Sequence, residues 1–136
     1  MDGPSPARLY ATLAGAMLLL AGIVGFFYSA SFGSPGEVDE VLGVFAVNGW
    51  VNVLHILTGA LGLIAADYSS RGYSLWIGAF YVVLAFWGFA LGSGAILDLL
   101  PVSDGANVLH LLFGALGIVA ALGTPGKERE ASAARA

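Results

Sequence analysis

Two histidines, each three residues after an asparagine, are the side chains best suited to chemistry in this sequence. His55 follows Asn52, and His110 follows Asn107. An imidazole can donate or accept a hydrogen bond, transfer a proton near neutral pH or ligate a metal. An amide three residues earlier lies on the same helical face, so it can hydrogen-bond the ring. The recurrence of this pair indicates two equivalent positions in a repeated structure.

The elements that position these histidines are predicted to be membrane helices. Of 136 residues, 58% are hydrophobic and 10% are charged, and residues 9–36, 41–66, 72–97 and 105–126 contain no charged side chain. A soluble domain has about 25% charged residues, and about 20 apolar residues span a bilayer. The composition excludes a soluble enzyme, a disordered tail and a nucleic-acid-binding protein. Cysteine is absent, which excludes disulfides and thiolate sites.

We predict a single transmembrane domain over residues 1–136 that contains four helices and ends in a short cytoplasmic tail. The helices are expected at about 9–30, 49–66, 73–93 and 106–123, and the tail at 124–136. Glycine and proline residues occur in the segments that connect the helices, as is typical of turns and loops. Asn48 and Ser103 are the expected N-caps of the second and fourth helices. Two apolar segments before those helices, 42–47 and 97–102, are expected to fold over the mouth of the bundle.

The distribution of basic residues predicts the orientation. All five lie in the N-terminal arm, the central loop or the tail: Arg8, Arg71, Lys127, Arg129 and Arg135. Because positive charge stays cytoplasmic, we predict a multi-pass protein of the cell inner (plasma) membrane with both termini in the cytoplasm. The alternative is that the first apolar segment is a signal peptide cleaved near residues 29–31. That segment is longer than the apolar core of a typical signal peptide.

The histidine segments belong to an internal repeat. Val47–Gly62 recurs 55 residues later as Val102–Gly117, with Asn, Val, Leu, His, Leu, Gly, Ala, Leu and Gly coinciding. A weaker match relates the first and third helices at an offset of 63 residues. An even number of spans separates the copies, so they point the same way. We therefore predict an all-α integral membrane fold: two tandem helical hairpins, related as a parallel repeat, that form an antiparallel four-helix bundle.

A polar and small-residue stripe is predicted to face the bundle interior. Its members step by three and four residues along the second and fourth helices: Asn52, His55, Gly59, Gly62, Ala66, Asn107, His110, Gly114, Gly117 and Ala121. Small residues let membrane helices approach closely, and polar side chains can find partners there. Six aromatic residues of the third helix are expected to serve lipid contact and core packing, and the alternative is a pigment, quinone or partner helix packed against them: Trp76, Phe80, Tyr81, Phe86, Trp87 and Phe89.

The histidines admit more than one role. In the structural interpretation, each neutral imidazole and its amide bond to each other or to a facing backbone. In the cofactor interpretation, His55 and His110 ligate haem iron, or one of them binds the magnesium of a chlorophyll. A proton relay or ligand recognition is a third alternative. No third metal-type ligand accompanies them, so we predict no compact metal site and no catalytic residue, and we expect no cofactor unless haem or chlorophyll is bound.

The repeat also carries a family resemblance. Leu42-Gly43-Val44-Phe45-Ala46-Val47-Asn48, followed by Asn52-Val53-Leu54-His55 and Gly59-Ala60-Leu61-Gly62, resembles the bacterial and archaeal four-helix membrane family called domain of unknown function 4383. Departures are Trp50-Val51 before the first Asn-x-x-His, and Ser103 in place of the asparagine of the first copy. The resemblance implies the fold and the membrane location, and it adds no mechanism.

These observations together predict a non-enzymatic membrane protein, most simply a structural or accessory subunit of a membrane assembly. Its expected partners are the lipid bilayer and a membrane protein or a second copy of the chain, with no nucleic acid. The alternatives are a cofactor-binding membrane subunit that uses the paired histidines, and a small permease or channel.

Overall fold

The computed structural model describes residues 2–126 and 131–135 of the chain. It is an antiparallel bundle of four helices with a short two-stranded hairpin before the second helix and another before the fourth. The elements are α1 Pro6–Gly25, β1 Asp39–Val41, β2 Phe45–Val47, α2 Gly49–Tyr68, α3 Ser70–Leu91, β3 Ala95–Ile96, β4 Leu100–Pro101 and α4 Asp104–Leu122. All four helices are long and apolar enough to cross a membrane, as predicted. Lys127 and Arg129 of the predicted tail lie outside the described residues.

Helix α1 ends at Gly25, several residues before the predicted end near 30. The backbone N–H groups of Phe27 and Tyr28 bond the carbonyls three residues earlier, Val24 and Gly25, at 3.0 Å. Such bonds tighten the last turn and stop the helix. The chain then turns toward α2, and the Ser29 carbonyl accepts a hydrogen bond from the Asn52 side chain of α2.

Capping side chains explain where the other helices begin. Ser5 accepts a hydrogen bond from the Arg8 N–H and proline follows it, so α1 starts earlier than predicted. Asn48 and Ser103 cap α2 and α4, as predicted. Helices α2 and α3 are separated by one residue, where a longer loop was expected. The carboxylate of Asp2 accepts bonds from the Ser70 N–H and hydroxyl at 2.9 and 2.8 Å, which satisfies the start of α3.

Two tight turns shape the hairpins. Val44 N–H donates to the Val41 carbonyl at 3.2 Å, and the same bond joins Leu99 to Ile96 at 3.1 Å. The two central residues of each turn have positive φ: Leu42, Gly43, Leu97 and Asp98. Two-residue turns of this kind match the twist of antiparallel strands. These hairpins were not predicted as strands, although their apolar segments were expected to cover the bundle.

Close glycine contacts join the two helices of each half of the repeat, α1 with α2 and α3 with α4. We call these contacts the glycine seams. A Cβ at Gly15 would lie 2.8 Å from the Gly59 carbonyl oxygen across α1 and α2. A Cβ at Gly78 would lie 2.8 Å from the Gly114 carbonyl oxygen across α3 and α4. The equivalence of these contacts supports the tandem repeat, including its weaker α1–α3 half.

The two halves are joined near the chain termini by a pair of equivalent tyrosines. Tyr10 of α1 donates its hydroxyl to the Phe113 carbonyl of α4, and Tyr73 of α3 donates to the Thr58 carbonyl of α2, both at 2.9 Å. At the same end, Arg8 pairs with Asp67 at 2.7 Å. Arg71 donates to the Ala121 carbonyl. The charged arm and central loop therefore share the end of the bundle opposite the hairpins.

The outer surface of the bundle is apolar. Large exposed side chains run along every helix, among them Leu13, Leu20, Leu61, Trp76, Phe86 and Leu116. A belt of this kind would be an aggregation hazard in water, whereas lipid tails solvate it. The protein is a multi-pass membrane protein.

Candidate functional site

A cavity of about 270 Å³ lies at the hairpin end of the bundle. All four helices and both hairpins contribute to its wall, and most of that wall is apolar. Four side chains bring polar atoms to it: His55, Tyr81, Asn107 and His110. We call it the hairpin-end cavity.

The helical spacing brings the two histidines together in this cavity. Each projects from the first half of its helix, and equivalent positions on α2 and α4 face one another across the bundle. The ring centroids lie 6.3 Å apart and the ring planes are inclined at 76°. The Nδ1 atom of His55 is buried and has no hydrogen-bond partner.

Tyr81 completes the cluster and was not singled out from the sequence. Its ring centroid lies 5.1 Å from that of His110 and 6.5 Å from that of His55. Its hydroxyl lies 3.1 Å from the Thr58 hydroxyl. Thr58 gives its single proton to the Leu54 carbonyl at 2.7 Å, so Tyr81 must donate to Thr58.

The two asparagines occupy equivalent places but have different partners. Asn52 packs on Gly25 and Asn107 packs on Gly88, so closely that a Cβ at either glycine would overlap the amide oxygen. The Asn52 amide donates to the Ser29 carbonyl at 2.8 Å. The Nδ2 of Asn107 is buried with no partner, and so is the Oδ1 of Asn52. The asparagines were expected to bond either to the neighbouring histidine or to a facing backbone group, and Asn52 bonds to a facing backbone group.

The length of α3 explains why Asn107 lacks the same bond. Ser29, which accepts from Asn52, follows the end of α1, and its equivalent in the repeat is Gly92. Helix α3 continues to Leu91 and is capped by Gly92 at φ +72°, so the chain leaves the bundle in another direction. The repeat thus supplies a carbonyl to one asparagine and not to the other.

The predicted stripe glycines do not line the cavity and serve the helix contacts. Gly59 and Gly114 belong to the glycine seams. A Cβ at Gly62 would lie 2.6 Å from the Tyr73 hydroxyl, and one at Gly117 would lie 2.7 Å from the Tyr10 hydroxyl. These four glycines therefore make room for the neighbouring helix or for a tyrosine.

The chemistry available in this site is hydrogen bonding by neutral groups. Among residues 2–126 and 131–135, no three histidine, cysteine or carboxylate side chains are grouped so that they could hold a metal ion. The hairpin-end cavity is lined by two imidazoles, one amide and one phenol, without a carboxylate or a basic side chain. Such a set can recognise an uncharged polar group in an apolar surrounding.

Comparison with known proteins identifies the family. No curated protein and no solved structure shows significant similarity to this chain. The sequence model of the family described as Domain of unknown function (DUF4383) matches residues 8–123, which contain all four helices except Pro6 and Ala7 at the start of α1. The Asn-x-x-His pairs and the glycine seams lie within that match, and the chain belongs to the DUF4383 family.

Proposed function

We propose that this protein is a non-enzymatic component of the cell inner (plasma) membrane that binds a small lipid-soluble molecule in the hairpin-end cavity. The observation that carries the proposal is the coincidence of a cavity of about 270 Å³ with two buried polar atoms that have no partner. Ligand sites are typically apolar cavities with a few convergent polar groups. Binding of this kind suits an accessory protein that holds a molecule for a membrane assembly.

The unpartnered atoms indicate what the ligand carries. The Nδ2 of Asn107 can only donate, whereas the Nδ1 of His55 donates or accepts according to the tautomer of the ring. A buried donor without an acceptor costs about 1–3 kcal/mol. A carbonyl or hydroxyl oxygen placed between Asn107 and the histidines would remove that cost. The preferred ligand is therefore an apolar molecule with a hydrogen-bond-accepting oxygen.

The volume of the cavity limits the enclosed part of the ligand. A dry protein cavity of about 150 Å³ binds benzene, so 270 Å³ accommodates a substituted ring or a short length of chain. A haem or chlorophyll macrocycle has several times as many atoms as benzene. The volume therefore favours a small head group over the alternative cofactors at His55 and His110.

The charge distribution supports an orientation for the site. Arg8 and Arg71 lie at the terminal end of the bundle, and the hairpin end carries Asp39, Glu40 and Asp98. With positive charge on the cytoplasmic side, both termini are cytoplasmic. The cavity then lies in the outer half of the membrane, within reach of lipids of the outer leaflet.

A non-enzymatic role is supported by the chemistry of the wall. General acid–base catalysis needs a proton donor or acceptor matched to a reacting group, and nucleophilic catalysis needs an activated nucleophile. The hydroxyl of Tyr81 is committed to Thr58, and the lining has no carboxylate to orient either imidazole. Binding requires only the groups that are present.

An equilibrium binding assay tests the proposal. The protein, in lipid nanodiscs, is titrated with tritiated decyl-1,4-benzoquinone and, separately, with a straight-chain ketone of the same carbon number. We expect saturable binding at one molecule per chain, with tighter binding of the quinone if a ring is preferred and of the ketone if a chain is preferred.

Two matched variants locate the binding. Ala106→Phe fills the cavity from α4, and Leu112→Phe adds the same ring to the exposed lipid face of α4. The first should abolish saturable binding, and the second should leave it intact. If neither probe binds the wild type saturably, the proposed function is wrong. If both variants bind as the wild type does, the ligand lies elsewhere.

A further inference from the structure

The wall of the hairpin-end cavity follows the internal repeat over most of its area. Leu18 and Tyr81 are equivalent lining residues on α1 and α3, and His55 and His110 are equivalent on α2 and α4. Both hairpins contribute equivalent positions as well, such as Phe45 and Leu100. The main chamber therefore lies between the two halves of the repeat.

One extension of the cavity breaks this symmetry. Its lining residues are Met17, Val24, Asn107 and Phe113. Their equivalents in the repeat do not line the cavity: Phe80, Trp87, Asn52 and Thr58. The extension thus runs between α1 and α4, and the corresponding path between α3 and α2 carries two large aromatic residues.

The extension reaches the lateral surface of the bundle. Met17 of α1 is 61% exposed and Leu109 of α4 is 48% exposed, and both line the cavity. Ala21 of α1 is a further exposed lining residue. Its equivalent on α3 is Leu84, which is 7% exposed. A small residue therefore stands on the α1 side where a buried leucine closes the other side.

We propose that this gap between α1 and α4 is a lateral portal through which a lipid-soluble ligand enters from the bilayer, and this inference rests on the proposed function. The accepting oxygen of the ligand reaches Asn107 and the histidines, while its apolar tail stays in the portal and in the surrounding lipid. A ligand that is longer than the cavity can then bind without leaving the membrane.

The unpartnered amide strengthens the assignment. Asn107 is 3% exposed and lies in the asymmetric extension, and its Nδ2 lacks an acceptor. The equivalent Nδ2 of Asn52 donates to the Ser29 carbonyl, and Asn52 does not line the cavity. The free donor therefore occurs on the side that opens to lipid, where an incoming head group would meet it.

Exchange kinetics test the portal separately from the site. The double variant Ala21→Leu with Val24→Trp copies Leu84 and Trp87 of the closed side onto α1. Nanodiscs loaded with tritiated decyl-1,4-benzoquinone are chased with the unlabelled probe, and bound radioactivity is followed over time. We expect loading and exchange of the probe both to slow about tenfold or more, since a barrier on the path is crossed in both directions.

Two further variants keep the test decisive. Leu109→Trp narrows the portal from α4 and should also slow exchange, even if the double variant folds poorly. Leu20→Trp places the same ring on the lipid face of α1, outside the cavity lining, and should exchange like the wild type. Wild-type exchange rates in both portal variants, with unchanged affinity, overturn the portal and leave the proposed function standing. Absence of saturable probe binding by the wild type overturns both.

Discussion

Replacing each of the two equivalent asparagines by leucine should have different consequences for stability and binding. Both side chains pack on a glycine of the neighbouring helix, Gly25 or Gly88, so the steric effect of leucine is matched. Each amide has one buried atom without a partner, Oδ1 in Asn52 and Nδ2 in Asn107. The donors are not matched, because only Asn52 donates, to the Ser29 carbonyl at 2.8 Å. The difference between the two variants therefore isolates the hydrogen bond.

The expected magnitude follows from what each change removes. Asn52→Leu deletes a bond and leaves the buried carbonyl of Ser29 without that donor, a loss of about 0.6 kcal/mol on average and up to about 1.7 kcal/mol in membrane bundles. It also removes the buried Oδ1 of Asn52, which has no partner, and this relieves about 1–3 kcal/mol. Asn107→Leu removes a donor that was already unsatisfied, which relieves about 1–3 kcal/mol. Because each change removes one unpartnered amide atom, these gains offset, and the Asn107 variant should be more stable than the Asn52 variant by the energy of the bond to Ser29, about 0.6–1.7 kcal/mol.

Reversible unfolding in mixed micelles, followed by circular dichroism, measures this difference. Saturable binding of the quinone probe is measured on the same two variants. We expect Asn107→Leu to fold at least as well as Asn52→Leu and to bind the probe weakly, and Asn52→Leu to retain binding despite its lower stability. Equal stabilities together with equal probe binding would show that the two amides have the same role and would refute the reasoning from the free donor.

Three other perturbations test the bundle itself. Gly15→Ala places a Cβ 2.8 Å from the α2 backbone, where ordinary contact begins at 3.4 Å. This variant should destabilise the fold by about 1–3 kcal/mol. The control is Gly72→Ala, whose Cβ meets only a serine hydroxyl and which should be neutral or slightly stabilising in the same unfolding assay. Tyr73→Phe removes the bond to the α2 carbonyl at 2.9 Å and should cost about 0.6 kcal/mol, so a loss above about 3 kcal/mol would mean that the hydroxyl has another role. Alkaline phosphatase fused after residue 136 should be inactive, and an insertion near Glu37 should be active; the reverse pattern would overturn the cytoplasmic placement of the termini.

The helices could be predicted because lipid imposes a simple requirement on the sequence. Every backbone polar group must be satisfied inside the bilayer, so a long charge-free window is read as a helix. The N-caps Asn48 and Ser103 were predictable because their side chains satisfy free N–H groups in a local and recurrent way. The end of α1 was not predictable, since the sequence beyond Gly25 remains apolar.

The hairpins and Tyr81 could not be predicted for two different reasons. Leu42 and Leu97 adopt positive φ, a conformation that leucine rarely takes and that no local signal announces. Tyr81 looks like one more aromatic residue on a helix rich in them, and only its packing opposite both histidines distinguishes it. A repeat-based alignment gives one signal, because it pairs Tyr81 with Leu18 and so marks a phenol where the other copy is apolar.

The position of the cavity follows from where small residues are placed. Within each half, glycines continue along the contact to the hairpin end, as Gly22 and Gly25 show. Between the halves, small buried residues such as Ala7, Ala11 and Ser74 occur near the terminal end, and larger side chains line the opposite end. Because lipid supplies no hydrophobic force to close a gap between helices, the halves can separate there and leave space for a molecule that is itself soluble in lipid.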